Sequence, residues 1–244
     1  MINNNIAIQT NALTKSYGAK IACNSLDLTV YAGETLALLG VNGAGKTTLI
    51  KMLSCLIPPS SGNAEIFGNS IITAQEQVKS VIGVSPQETS VAPNLTVREN
   101  LEFIAEIYGA STLEAKSKAN EMLERLEFGE YSEVKAKKLS GGWQRRLSIA
   151  MALISEPKVL FLDEPTLGLD VLARRELWKH ISALKGKTTV ILTTHYLEEA
   201  EALSDRIAIM VNGRIKTVGT AEELIAASGE NNFENAFVKL ATEI

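Results

Sequence analysis

Gly40-Val41-Asn42-Gly43-Ala44-Gly45-Lys46-Thr47 follows the spacing G-x-x-x-x-G-K-[ST], whose residue types together build a pocket for nucleotide phosphates. Glycines let successive backbone amides turn inward, and the start of a helix adds the positive end of its dipole. Asn42, Gly43, Ala44, Gly45, Lys46, Thr47 and Thr48 are therefore the expected phosphate contacts, with Lys46 reaching the β- and γ-phosphates and the Thr47 hydroxyl positioned for Mg²⁺. Two acids further on, Asp163 and Glu164, close an apolar run. At the carboxyl end of a parallel strand, where ligands collect, one acid can hold a divalent cation and the other can orient or deprotonate water. A third segment, Leu139-Ser140-Gly141-Gly142, puts a hydroxyl and two unhindered amides at a helix start, which suits an anion and equally suits a plain N-cap.

Those groups need a strand before the phosphate loop and a helix after it. Glu34–Leu39 reads as a short apolar strand, and a helix from Thr48 is expected to run to near Ile57-Pro58-Pro59, where two prolines stop it. Residues 6–39 alternate apolar and polar positions, with turns at Tyr17-Gly18 and Ala32-Gly33, which predicts a small β region. Residues 64–67 and 81–84 are further short strands. Thr96-Val97-Arg98-Glu99 and Ser111-Thr112-Leu113-Glu114 have the form of capping boxes. Behind them, Val97, Leu101, Ile104, Ala105 and Tyr108, and then Ala115, Ala119, Met122 and Leu126, each fall on one helical face. A helical block of 96–155 thus interrupts the α/β alternation. It resumes with Val159–Leu162 and 188–193, apolar throughout as parallel strands covered on both faces should be. Ile207–Met210 and Arg214–Thr217 read as a hairpin across Asn212-Gly213, and 221–244 as helix, with Phe233 and Phe237 one turn apart.

The chain has 244 residues and a net charge of −4, which argues against a generally basic nucleic-acid binder. No apolar run approaches the roughly 18 residues of a membrane span, and Met1–Asn5 lacks the character of a signal peptide. Cys23 and Cys55 show no metal spacing and read as small core side chains in a reducing, cytosolic setting.

The order of phosphate loop, LSGG, apolar strand ending Asp-Glu, and a histidine after the next strand resembles the ATP-binding subunit of an ABC transporter over essentially the whole chain. The stretch Glu198–Arg206 and the following hairpin are similar to the bacterial branch exporting drugs, sugars, lipids or polysaccharides. The resemblance implies an α/β fold: a P-loop NTPase (RecA-like) core with a mostly parallel sheet, an N-terminal antiparallel β subdomain and an inserted α-helical subdomain. One domain would span 1–244, with 1–95 and 156–220 forming the core and β subdomain, 96–155 the helical signature subdomain and 221–244 a helical tail. It further implies Tyr17 stacking on adenine, where a half-buried strand tyrosine is the plainer alternative. Gln87 would touch Mg²⁺ or the attacking water and signal to a membrane subunit. Asp163 would bind Mg²⁺ with Thr47, Glu164 would be the catalytic base, and His195 would contact the γ-phosphate with Lys46. Ser140, Gly141, Gly142 and Asp170 would meet nucleotide held by a second copy. His180 has no such company and reads as structural.

The expected cofactors are ATP and Mg²⁺. The expected partners are a second copy (or a related ATPase subunit) in an ATP-dependent head-to-tail dimer, and a separate transmembrane permease that holds the protein at the inner face of the membrane; no nucleic acid is expected. The expected function is an ATP-hydrolysing export motor. The alternatives are an ABC ATPase acting on nucleic acid or ribosomes, which usually carries two such domains or basic extensions, and a small-molecule kinase, which would lack LSGG. One departure stands out. Trp143 follows the LSGG where the family more often has glutamine or methionine, and its indole is expected to pack on ribose or at the dimer seam.

Overall fold

In the computed structural model, which describes residues 5–242, the alternating N-terminal segment forms β1 (Ile6–Tyr17) and β2 (Lys20–Tyr31), antiparallel across the Gly18 turn. There follow β3 (Thr35–Leu39), α1 (Lys46–Leu53), β4 (Ser61–Ile66), β5 (Asn69–Ser70), α2 (Gln75–Lys79) and β6 (Ile82–Ser85). The helical block holds α3 (Val97–Ile107), α4 (Thr112–Arg125) and α5 (Gly141–Leu153), with two short 3-10 turns between α4 and α5. The chain continues through β7 (Val159–Asp163), α6 (Val171–Ser182), β8 (Thr189–Thr194) and α7 (Leu197–Leu203). It closes with β9 (Arg206–Val211), β10 (Arg214–Gly219), α8 (Ala221–Ser228) and α9 (Phe233–Thr242). Residues 1–4, read above for a leader, and 243–244, in the helical tail, lie outside the described residues.

Two sheets result. One is antiparallel, in the order β2-β1-β4-β5. The other runs β10-β9-β3-β8-β7-β6, parallel at every pairing except the terminal β9–β10 hairpin. Strands β3, β7 and β8 are buried at every position, and the sheet's side chains alternate between two cores. Leu36, Leu38, Phe161, Ile191 and Met210 join α1 and the antiparallel sheet, whereas Ala37, Leu39, Leu162, Leu192 and Ile209 join the helical block. Helix α1 is therefore clamped between two sheets, and the loop before it is set by both. Both capping boxes form, with Thr96 and Ser111 each exchanging bonds with the glutamate three residues on. Phe233 is buried and Phe237 packs against the same core, so the tail folds onto its own domain.

Two expectations are corrected. Helix α1 ends at Leu53, well before Pro58. Cys55 takes a left-handed φ of 57°, while the Leu56 amide bonds to Lys51 O (2.9 Å) and the Cys55 amide to Met52 O (3.0 Å). That pair of bonds is a Schellman closure, which stops the helix by local backbone geometry before the prolines are reached. On α3, Val97, Leu101 and Ala105 are buried, but Ile104 is half-buried and Tyr108 is 52% exposed, so the predicted face is only partly covered. Among the described residues, no helix is long and apolar enough to cross a membrane.

Candidate active site

The turn from β3 into α1 is the floor of the site. Gly45 is the N-cap of α1 at φ 107°, and no side chain caps the helix, so its first amides face outward. A Cβ on Gly45 would lie 2.3 Å from Ala22 O, so at this position glycine is required by space as well as by φ. Above the turn lies a cavity of about 390 Å³, lined by Asn42, Gly43, Ala44, Gly45, Lys46, Thr47 and Thr48, and walled by Tyr17, Gln87, Glu164 and His195. Tyr17 is 50% exposed at the rim, with the Lys15 ammonium 5.4 Å from its ring centre.

The wall opposite the loop is built by the carboxyl ends of β7 and β8. Asp163 is buried, and its Oδ1 accepts from the Thr47 hydroxyl (3.1 Å) and the Thr193 hydroxyl (2.6 Å). Glu164 sits one residue beyond the strand at φ 49°, a left-handed conformation unusual for glutamate. Its amide donates to the Thr193 hydroxyl (2.9 Å), and its carbonyl accepts from Arg145 Nη2 (2.8 Å). Its carboxylate stands between two cavity groups: Lys46 Nζ is 3.4 Å from Oε1, and His195 Nδ1 is 2.8 Å from Oε2. Lys46 also donates to Gly40 O at 2.6 Å, which folds its buried side chain back over the loop.

The structure thus gathers Tyr17, the 42–48 loop, Gln87, Asp163, Glu164 and His195 at one place. It does not bring Ser140, Gly141, Gly142 or Asp170 there; none lines this cavity. Ser140 is the N-cap of α5, exposed and without a side-chain capping bond, so its hydroxyl is presented outward. Asp170 caps α6, its Oδ1 accepting from the Leu172 and Ala173 amides at 2.9 Å each. Trp143 has partners within its own chain. Its ring packs inward against Tyr131 (4.3 Å between centres) and Phe128 (5.5 Å), with the Arg146 guanidinium 4.3 Å over its face. The indole is thus half-buried and packs within the helical block. His180 lies half-buried on α6, away from the cavity, where burial holds its imidazole below the ordinary range.

Sequence reasoning missed three groups. Thr193 closes an apolar strand and looks like mere β-branched filling, yet its hydroxyl orders both acids. Arg145 and Arg146 are adjacent, and nothing in Gln144-Arg145-Arg146 tells which one turns inward. Glu199 on α7 is fully buried; burial raises its carboxyl above the ordinary 4.5, offset in part by the Thr194 and Thr166 hydroxyls and the Trp178 indole.

The ABC transporter family model matches residues 23–167. The chain is 42% identical over 229 residues to the daunorubicin resistance ATP-binding protein DrrA3 of Streptomyces coeruleorubidus, covering 93% of this chain and 72% of that protein. Among solved structures, an ATP-binding subunit of an ABC transporter superposes with a TM-score of 0.85 at 29% identity, over 96% of this chain and 99% of that one. The ATP-binding cassette MJ0796, solved as a dimer in a post-hydrolysis state with ADP and Pi, superposes with a TM-score of 0.79 at 25% identity, over 87% and 98% of the two chains.

Proposed function

This chain belongs to the ABC transporter family as an ATP-binding subunit, and from that membership we propose how its residues bind and hydrolyse ATP to drive export. The observation that carries the reading is the Glu164 carboxylate, held in the cavity wall between Lys46 and His195. A carboxylate so placed can orient and deprotonate water for attack on the terminal phosphate, while Lys46, the loop amides and His195 stabilise the transferred charge. Tyr17 at the rim offers its ring face to the adenine. Thr47 and Asp163 present a hydroxyl and a carboxylate oxygen 3.1 Å apart, an all-oxygen pair that suits Mg²⁺ with phosphate and water oxygens completing its shell. Mg²⁺ held there supplies charge neutralisation on the phosphates, and Gln87 borders the same space.

The exposed Ser140 hydroxyl and the Gly141 and Gly142 amides are the second half of the site. We assign them, with Asp170, to the nucleotide of a second subunit in a head-to-tail, ATP-dependent dimer. The dimeric MJ0796 structure supports that reading. An apolar groove of about 470 Å³ beside the Gln87 loop, lined by Leu56, Val84, Pro86, Ile104, Ile107 and Tyr108, suits an apolar segment of a membrane subunit, which would place the protein at the membrane's inner face. Export is the direction supported by the drug-resistance relative.

The test is Glu164→Gln. Steady-state phosphate release is expected to fall about 10²–10⁴-fold while ATP binding persists, and Mg-ATP is expected to convert the variant from monomer to dimer by solution mass. Near-normal turnover would remove Glu164 from the role of base.

A further inference from the structure

Arg145 is a charged side chain buried to 3% exposure in the first turns of α5, and the description above gives it no task. Its guanidinium forms no ion pair among the described residues. It donates instead to three backbone carbonyls on two other segments: Nη1 to Pro86 O (2.5 Å), Nη2 to Gln87 O (2.8 Å) and Nη2 to Glu164 O (2.8 Å). Burial opposes its charge, and the fields of Asp163, Glu199 and Glu164 offset part of that cost.

The three acceptors are not equivalent to ordinary loop carbonyls. Pro86 lines the apolar groove and Gln87 the nucleotide cavity, so this short loop borders both. Glu164 holds a left-handed φ, and the peptide before its Cα is held by Thr193 and the peptide after it by Arg145. The direction of its carboxylate depends on both fixings, because the Cα–Cβ bond is aimed by the two peptide planes that flank it. Arg145 itself moves with α5, whose first residues are Gly141 and Gly142. Arginine's planar fork can satisfy acceptors on two segments at once, whereas lysine carries the charge at a single point.

We propose that Arg145 is a positioning residue for hydrolysis, tying the start of α5 and the Pro86-Gln87 loop to the backbone of Glu164, so that displacement of either segment reorients the catalytic carboxylate. The proposal rests on the reading of Glu164 as the base. It predicts that the clamp acts on the chemical step and not on ATP affinity, because Arg145 does not line the nucleotide cavity.

The experiment compares Arg145→Gln, Arg145→Lys and Glu164→Gln in the full chain, measuring phosphate release against ATP concentration and ATP affinity by equilibrium binding. Both Arg145 variants are expected to lose about tenfold or more in kcat, since small misplacements of a catalytic group are costly, with ATP affinity within about threefold of the parent. Lysine is expected to restore little, because charge and bulk are not what the site uses. Activity within about twofold of the parent in Arg145→Gln, with Glu164→Gln inactive, would overturn the clamp and leave the base assignment standing. Full rescue by Arg145→Lys, or a loss confined to ATP affinity, would likewise overturn it. An active Glu164→Gln would take down the base assignment and the clamp together. Should Arg145→Gln fail to fold, Arg145→Lys alone decides by the same kcat criterion.

Discussion

At the scale of single residues, the site consists of short polar contacts made at the rim of an apolar sheet. His195 Nδ1 and Glu164 Oε2 lie 2.8 Å apart, so His195→Ala removes the contact that fixes the carboxylate on one side. Its expected effect is a kcat loss of about 10²-fold or more with ATP binding kept, measured by phosphate release and equilibrium binding. Glu199 carries a pH prediction. Its folded carboxyl titrates above the ordinary 4.5 because burial disfavours the charge, so the native state binds more protons than the unfolded chain between those two values. Stability from this residue is therefore full at pH below 4.5 and is lost as pH rises through the folded value. Glu199→Gln keeps an acceptor for the Trp178 indole, which donates to Oε1 at 3.1 Å, and removes the titration. The variant is expected to melt above the parent at pH 8, with the gain shrinking toward pH 5 in paired thermal scans. A gain independent of pH would place the effect outside this carboxyl.

At the scale of elements, packing between β6 and α5 sets where the Gln87 loop emerges. A Cβ on Gly83 would lie 2.1 Å from Ala152 O at the end of α5, so the strand and helix meet backbone to backbone. Gly83→Ala must push them apart and is expected to cost about 1–3 kcal/mol, read from the urea midpoint. Trp143 on α5 is gripped by Tyr131, Phe128 and Arg146, so Trp143→Ala is expected to destabilise the chain by about 1–3 kcal/mol. ATP affinity of the monomer should hold, because the indole does not line the cavity; a loss of affinity in the folded variant would return Trp143 to the nucleotide. Elements of this kind were legible from sequence where the signal is local, as in the capping boxes of α3 and α4 and the alternation of β1 and β2. The end of α1 was not, because a left-handed Cys55 gives no compositional warning.

At the scale of the molecule, the LSGG segment lies outside the phosphate-loop cavity, with Gly141 in an adjoining pocket that shares Gln87 and Leu167 with the cavity wall. The cavity holds Lys46, Glu164 and His195, while Ser140 stands exposed at the start of α5. On the proposed reading a single copy offers half of each site, and ATP held between two copies would supply the contacts that join them. Apolar exposure marks a second surface, with Leu56 64% and Ile107 61% exposed around the groove beside Pro86. Ile107→Asp is expected to abolish co-purification with the membrane subunit while ATP hydrolysis by the isolated chain persists. Loss of both would point to damage to the helical block itself.

The residues proposed to bear the chemistry were legible in the sequence, because phosphate binding needs a particular local order of glycine, lysine and hydroxyl, and apolar strands announce where their acidic ends must lie. Lys46, Thr47, Asp163 and Glu164 could be named from that order and His195 from the family resemblance; Lys46, Thr47, Glu164 and His195 line one cavity, and Asp163 bonds to Thr47 beside it. Only the tertiary structure decided how they are held. Thr193 reaches the acids from the neighbouring strand, Arg145 reaches Glu164 from a helix nineteen positions earlier, and Trp143 turns into its own domain. The reason is physical. A motif records which groups a reaction needs, whereas the choice among neighbouring side chains of similar type depends on helix phase and on which buried carbonyls and ring faces lie opposite, and those come from segments far apart in the chain.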